Sequence, residues 1–225
     1  MAINKAKTSV WMKGFIIFLI FAFVVTIGAA SIPSIFQLFT QPTGQTANQP
    51  TVAPTVEQVN ARYKPGVDAL AAAVASDPTS YTAAVSLGNA YFDWANTLST
   101  PAKGASQAST TALAAAAPLW LSSKDAYAKA VKLQPGDPNV ETDFAIVTYY
   151  SGDTTAAIAL GEGVTTRRPE FSQAWLNLGI FYAGSGQIEK SISAFERYIK
   201  VDPKGQNVKF AQDQIRTLKS AKPTP

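Results

Sequence analysis

The stretch from Ser172 to Gly205 constrains the fold of this chain more than any other part of the sequence. Apolar or small residues recur in its first half at steps of three and four: Trp175, Leu178, Gly179 and Tyr182. A second series follows the glycine-rich turn Gly184–Gly186: Ile188, Ile192, Phe195 and Ile199. Each series lies on one face of a helix, and Asp202-Pro203 stops the second because proline cannot continue a helix. The stretch is therefore predicted to form a helical hairpin.

The spacing of these residues, continued through Ser191, Phe195 and Pro203, resembles the tetratricopeptide repeat family. Glycine stands at position 179, where the repeat needs a close approach by the neighbouring helix. Serine at 191 and tyrosine at 198 depart from the small residues usual in the family. The resemblance implies an all-α fold, an α-solenoid of stacked helical hairpins, because one hairpin cannot bury its own apolar face.

The chain contains further copies at the same period. Residues 138–171 form a degenerate repeat, in which Gly152 and Pro169 precede Gly186 and Pro203 by 34 residues. Residues 81–137 form another repeat that is interrupted by an insertion of about 23 residues, roughly 95–117, at its turn. We interpret this insertion as a lengthened hairpin packed on its own repeat; the alternative is a projecting arm that touches a partner.

The segments at the two ends of the array resemble the repeat less closely. Residues 55–80 resemble a half repeat, with Thr55 as the N-cap of its first helix and Pro65 opening the next. Residues 206–221 are predicted to form a capping helix with one solvated face. Asp77-Pro78 and Asp137-Pro138 are interpreted as stop signals. The resemblance implies the following repeat-core residues: Leu87, Gly88, Tyr91, Trp175, Leu178, Gly179, Tyr182, Phe195 and Pro203.

A membrane anchor is predicted ahead of the repeat domain 55–225. Residues 14–33 supply an apolar run long enough to cross a bilayer, within an anchor and flank of 14–39. The tail 1–13 carries three lysines, so the positive-inside rule predicts a cytoplasmic N-terminus and an extracytoplasmic repeat domain. A cleaved signal peptide is the competing interpretation of this segment. Residues 40–54 are uncharged and contain Pro42, Pro50 and Pro54, which indicates an extended linker.

Composition argues against several kinds of function. The 225 residues contain neither cysteine nor histidine, which excludes thiolate and imidazole chemistry. Three of the 19 basic residues lie in the tail, which leaves 16 basic against 15 acidic residues and no electrostatic footprint for nucleic acid. No nucleotide-binding loop or tuned pair of carboxylates is present. We therefore expect no enzyme activity, cofactor, metal or small-molecule substrate, and no nucleic-acid partner.

The family resemblance implies that the first helices of successive repeats line a concave groove that takes a protein partner. The candidate groove residues are Asn89, Phe92, Asn139, Asp143, Tyr150, Gln173 and Asn177. None is basic, which argues against the family's carboxylate clamp for chaperone tails. The hypothesis is a membrane-anchored scaffold or adaptor that binds a protein partner in the cell envelope and assists assembly of a membrane complex. The alternative is a permanent structural subunit of a larger membrane complex, held through its transmembrane helix.

Overall fold

The computed structural model describes residues 54–101 and 108–220. These residues form eight helices: α1 (Val56–Ser76), α2 (Tyr81–Ser99), α3 (Thr110–Leu133), α4 (Pro138–Tyr150), α5 (Thr154–Arg167), α6 (Ser172–Gly184), α7 (Ile188–Val201) and α8 (Val208–Ser220). Each helix packs on the next in the chain, and α4 also contacts α6. The prediction of an all-α array of helical hairpins is thus confirmed for this part of the chain.

The predicted tail, anchor, flank and most of the linker lie outside the described residues, since these begin at 54. Among the helices that the structure describes, none is both long and apolar enough to cross a membrane. The anchor at 14–33 therefore stays a prediction.

Helix α1 begins as the sequence predicts but does not end where expected. The Thr55 side chain accepts a hydrogen bond from the backbone N–H of Gln58, whose side chain accepts from the Thr55 N–H, which completes a capping box. Pro65, however, lies inside one continuous helix and does not open a second one. Both Val59 and Val67, on either side of the proline, are buried. Packing on both sides holds the helix together despite the hydrogen bond that proline removes.

The described residues of the insertion lengthen the hairpin α2–α3, and its added turns pack on α1 as well as on their own repeat. Helix α3 starts at the N-cap Ser109 and runs through Pro118 without a break. Trp94, Leu98 and Ala116, from the added turns, are buried. The Trp94 indole N–H also donates to Asn60 Oδ1 of α1 at 2.9 Å. The added turns of both helices are therefore packed into the fold.

One of the predicted stop signals has a different role. Helix α3 ends at Leu133, and Asp137 is the N-cap of α4, with Pro138 in its first turn. Asp137-Pro138 therefore starts a helix, because a proline at the first position loses no helical hydrogen bond. Asp77 and Asp202 do follow helix ends, as predicted.

The two helices of the hairpin α6–α7 approach each other closely at Gly179. The Ser191 hydroxyl is buried and donates to Gly179 O at 2.7 Å. A Cβ added at Gly179 would lie 2.7 Å from the ring of Phe195, which is fully buried. Ser191 thus donates a hydrogen bond to the carbonyl of Gly179, and the missing side chain of that glycine leaves room for the Phe195 ring. Helix α8 packs on α7 through the buried Ala211.

Candidate partner-binding site

The first helices of the three hairpins, α2, α4 and α6, contain no lysine or arginine. Their acidic residues are Asp93 on α2 and Glu141 and Asp143 on α4. Glu141 is neutralised by Arg167 of α5, whose guanidinium donates to its carboxylate at 2.5 Å. The Asp143 carboxylate has no hydrogen bond or ion pair within the described residues. The first helices therefore present uncompensated negative charge.

Two aromatic residues of helix α3 together contact α2 and α4 and form a layer beneath these acidic residues. The buried Trp120 ring packs edge-on against Phe92 of α2 and stacks on Tyr150 of α4, with ring centroids 5.3 and 4.7 Å apart. Seven residues further along α3, the buried Tyr127 hydroxyl donates to Asn89 Oδ1 of α2. Seven residues is close to two helical turns, so Trp120 and Tyr127 lie on the same side of α3.

The surface above this layer is formed by five residues, Asn89 and Asp93 of α2 and Asp143, Ile146 and Tyr150 of α4, and is called the acidic face below. Asp93 follows Asn89 by four residues and so lies beside it on α2. Asp143 and Tyr150 are seven residues apart, about 10 Å along one side of α4. Tyr150 is 53% exposed, whereas the Trp120 ring beneath it is 5% exposed.

Burial raises the pKa of Asp143 to about 6, and the like charge of Asp137 adds to the effect. Asp137 itself keeps its charge. Burial alone would raise its pKa, but hydrogen bonds from the Tyr81 hydroxyl and from Asn139 lower it below the ordinary value. The partly buried Asp143 carboxylate thus lies near a permanently charged neighbour without a cation to offset either.

The pKa of the Tyr127 hydroxyl is affected by the same negative charges. Burial raises its pKa, and so do the charges of Asp143 and Asp93. Both carboxylates therefore lie close enough to the buried hydroxyl to act on it, one from each flanking helix. This places Asn89, Asp93 and Asp143 around one point between α2 and α4.

The other predicted groove residues lie in several environments. Gln173 and Asn139 are exposed, and Asn139 bonds to Asp137 through its amide. Asn177 does not present its amide to the surface: it is 8% exposed, and its Nδ2 donates to Gln173 O one turn earlier. Phe92 is half-buried against Trp120. That any of these residues contacts a partner stays a prediction.

The structure buries six of the predicted repeat-core residues: Leu87, Gly88, Leu178, Gly179, Tyr182 and Phe195. Tyr91 and Trp175 are half-buried, and the Trp175 indole N–H donates to Pro169 O at 3.0 Å. Pro203 is exposed, so it acts at the helix end and not in the core.

Two residues of the site were missed by sequence reasoning. Asp93 could have been found, because it follows the predicted Asn89 by one helical turn. Trp120 could not have been found from spacing, since it belongs to a second helix and joins α2 to α4 only through ring contacts that tertiary packing creates.

A second concave surface lies on the other side of α6, where a cleft of about 640 Å³ is bounded by α5, α6 and α7. Its aromatic rings already have partners. Arg197 lies over the Trp175 ring at 5.8 Å, Lys190 lies over the Tyr182 ring at 5.2 Å, and the Tyr182 hydroxyl donates to Glu162 at 2.5 Å. The cations Lys190 and Arg197 of this cleft thus already interact with aromatic rings of the same chain.

Comparison with known proteins agrees with this architecture. Residues 142–206 match the family described as Tetratricopeptide repeat. A segment of 85 residues is 27% identical to Small glutamine-rich tetratricopeptide repeat-containing protein 2 of Mycosarcoma maydis and covers 38% of this chain. The match spans 24% of the length of that protein. The repeat assignment of α4 to α7 therefore has support from sequence comparison.

Among solved structures, the crystal structure of MamA superposes with a TM-score of 0.56 at 16% identity, over 73% of this chain and 81% of MamA. The MamA 41-end fragment from Desulfovibrio magneticus RS-1 gives a TM-score of 0.50 at 17% identity, over 73% and 85% of the two chains. At these identities the likeness shows the fold alone. The fold of the described residues is an array of stacked helical hairpins.

Proposed function

We propose that this chain is a scaffold or adaptor that holds a protein partner on its first helices, tethered to a membrane by residues 14–33 with its repeat domain outside the cytoplasm. The acidic face is the observation that carries the binding part of the proposal. A stacked aromatic ring, Tyr150, is 53% exposed on the same side of α4 as the Asp143 carboxylate, which has no partner in the described chain. Neither group closes a hairpin, so both remain free to bind.

The chemistry of the first helices supports a protein ligand. Amides such as Gln173 and Asn89 can bond an extended backbone, and a rigid tyrosine supplies contact area at a small cost in entropy. The described residues show no pair of tuned acid and base in a cleft of the kind that hydrolytic catalysis needs. The repeat family itself consists typically of interaction scaffolds, and this supports binding over catalysis.

The binding surface is tested by capture of the native partner on the full chain after cross-linking in cells. The double change Tyr150→Ala with Gln173→Ala should reduce recovery of the cross-linked partner about fivefold or more, while the helical signal is kept. The matched control removes exposed charge from α8 through Arg216→Ala with Lys219→Ala, and recovery should stay within about twofold. Loss with the α8 pair and not with the first-helix pair would place binding elsewhere.

The membrane part rests on the three lysines of the tail and the apolar run after them. Protease added to cells with a permeabilised outer layer should digest the repeat domain without lysis. A domain that is protected there and cut only after lysis would contradict the extracytoplasmic assignment.

A further inference from the structure

We infer that the acidic face takes a lysine- or arginine-bearing segment of the partner, with one cation on the Asp143 carboxylate and another on the exposed ring of Tyr150. This inference rests on the function proposed above and names the chemistry of the partner. It is carried by charge complementarity, by the exposed ring and by the distance between the two groups.

The charge is unambiguous in sign. Helices α2, α4 and α6 contribute no cation, and Asp93 is exposed beside Asn89. Where other carboxylates approach a neighbouring helix, the chain supplies a partner, as Arg167 does for Glu141 and Lys219 for Glu196. No such partner reaches Asp143 within the described residues. A cation from another chain would offset a charge that the fold leaves uncompensated.

The aromatic ring supplies an independent observation. Three aromatic rings elsewhere in the described chain lie under a cation: Tyr63 under Arg62, Tyr182 under Lys190 and Trp175 under Arg197. Tyr150 is 53% exposed, its ring is held flat against Trp120, and no cation of the described residues lies over it. The Tyr149 ring also contacts Tyr150 at nearly a right angle, with centroids 5.5 Å apart. The exposed part of the Tyr150 ring can still accept a cation from outside.

The spacing gives the segment a pattern. Asp143 and Tyr150 are about 10 Å apart along α4, since each residue of a helix rises by about 1.5 Å. Basic residues three positions apart match that distance when the segment is in the polyproline II conformation, which rises by about 3.1 Å for each residue and places every third side chain on the same face. Ile146, between the two groups in sequence, is half-buried against the chain's own core and leaves only part of its side chain for the residues between them.

The test uses three labelled peptides of equal length whose backbone and apolar residues are identical. Every third residue is lysine in the first peptide, glutamine in the second and glutamate in the third. The full chain should bind the lysine peptide at least about tenfold more tightly than the glutamine peptide, and the glutamate peptide more weakly still. Added salt should weaken binding of the lysine peptide, because the attraction is between charges near the surface.

Two substitutions test whether the lysine peptide binds at the acidic face. Asp143→Asn should weaken the lysine peptide about tenfold and leave the glutamine peptide unchanged. The matched control is Asp125→Asn, which removes the same charge from an exposed position of α3, two residues from Tyr127 and so on the other side of that helix. Its effect should stay below about twofold. Protonation of Asp143, surrounded by Asp137, Asp93 and Tyr127, should weaken lysine-peptide binding as the pH falls through about 6.

Equal binding of the three peptides, tighter binding of the glutamate peptide, absence of binding, or an Asp143→Asn variant that still binds the lysine peptide normally would overturn the inference. None of these results touches the proposed function, which is tested by partner capture with the uncharged changes at Tyr150 and Gln173. If capture depends on those residues while the lysine peptide shows no preference, the face binds a partner of another chemistry.

Discussion

The hairpins α2–α3 and α6–α7 are closed by the same contact at very different separations along the chain. The Ser123 hydroxyl donates to Gly88 O at 2.8 Å across 35 residues, and the Ser191 hydroxyl donates to Gly179 O at 2.7 Å across 12 residues. In each hairpin a buried ring, Tyr127 or Phe195, lies over the glycine. The geometry of the repeat is thus fixed at this contact, and the 23 additional residues must be accommodated beyond it.

The additional residues lengthen every part of the hairpin beyond the contact. Helix α2 has 19 residues against 13 in α6, and α3 has 24 against 14 in α7. The two helices therefore take up 16 of the 23 additional residues, and the other seven lengthen the connection between them. The added turns pack on α1, where Tyr63 stacks on Trp94 and its hydroxyl bonds Thr97 at 2.8 Å. Trp120 stands where these turns join the repeat and underlies the acidic face. A repeat can therefore lengthen at the turn between its two helices, and form an additional surface there, while the contact between serine and glycine is kept.

The largest expected effect comes from removing the ring at the closing contact. Phe195→Ala and Tyr127→Ala should each lower the free energy of unfolding by about 3 to 5 kcal/mol, because both rings are buried and truncation leaves a cavity. Denaturant unfolding followed by circular dichroism measures both values. A loss below about 1 kcal/mol for Tyr127→Ala alone would show that the longer hairpin is not closed in the same way.

A smaller effect is expected when a methyl group is added at the glycine. A Cβ at Gly179 would lie 2.7 Å from the Phe195 ring, and one at Gly88 would lie 3.0 Å from the Tyr127 ring. Gly179→Ala should therefore cost about 1 to 3 kcal/mol through overpacking, and Gly88→Ala should cost less, because the ring has less far to move. The same unfolding experiment ranks the two variants; the reverse order would show that the ring does not pack on the glycine in the same way in the two hairpins.

The contact between the added turns and α1 should have the smallest effect. Asn60→Ala removes the acceptor of the Trp94 indole N–H and should cost about 1 kcal/mol. The exposed change Glu170→Ala, on the turn before α6, is a control that should stay within about 0.5 kcal/mol. Equal effects of the two changes would mean that the hydrogen bond from Trp94 to Asn60 contributes no stability.

Four of the closing residues were predicted because they are small or aromatic at a fixed spacing that follows from helix geometry: Gly88, Gly179, Ser191 and Phe195. The sequence did not predict that α1 continues through Pro65, because that depends on packing by Val59 and Val67, which local signals do not show. Nor did it predict that Asn177 turns back onto Gln173 O, since a polar residue at a groove position can bond its own helix.

The candidate site was predictable only in part for the same reason. Asn89, Asp143 and Tyr150 were proposed from their positions on first helices. Their relation to one another depends on Trp120 and Tyr127, two residues of α3 whose side chains reach both neighbouring helices. Spacing within one helix cannot show which residue of another helix lies between two positions, so the unpaired state of Asp143 became visible only in the fold.

We propose that the unpaired Asp143 carboxylate serves binding and not folding. Its folded pKa, about 6, is above the ordinary value of 3.8, so the folded state binds the proton more tightly than the unfolded state. The penalty on stability is therefore absent below about pH 4, grows as the pH rises between the two pKa values, and is complete above about pH 6.

The most direct measurement is the free energy of unfolding of Asp143→Asn against the native chain at pH 7 and at pH 4. The variant should be more stable at pH 7 by on the order of 1 to 3 kcal/mol, and the difference should shrink towards zero at pH 4. A variant that is less stable than the native chain at pH 7 would show that the carboxylate serves the fold, and it would contradict the account.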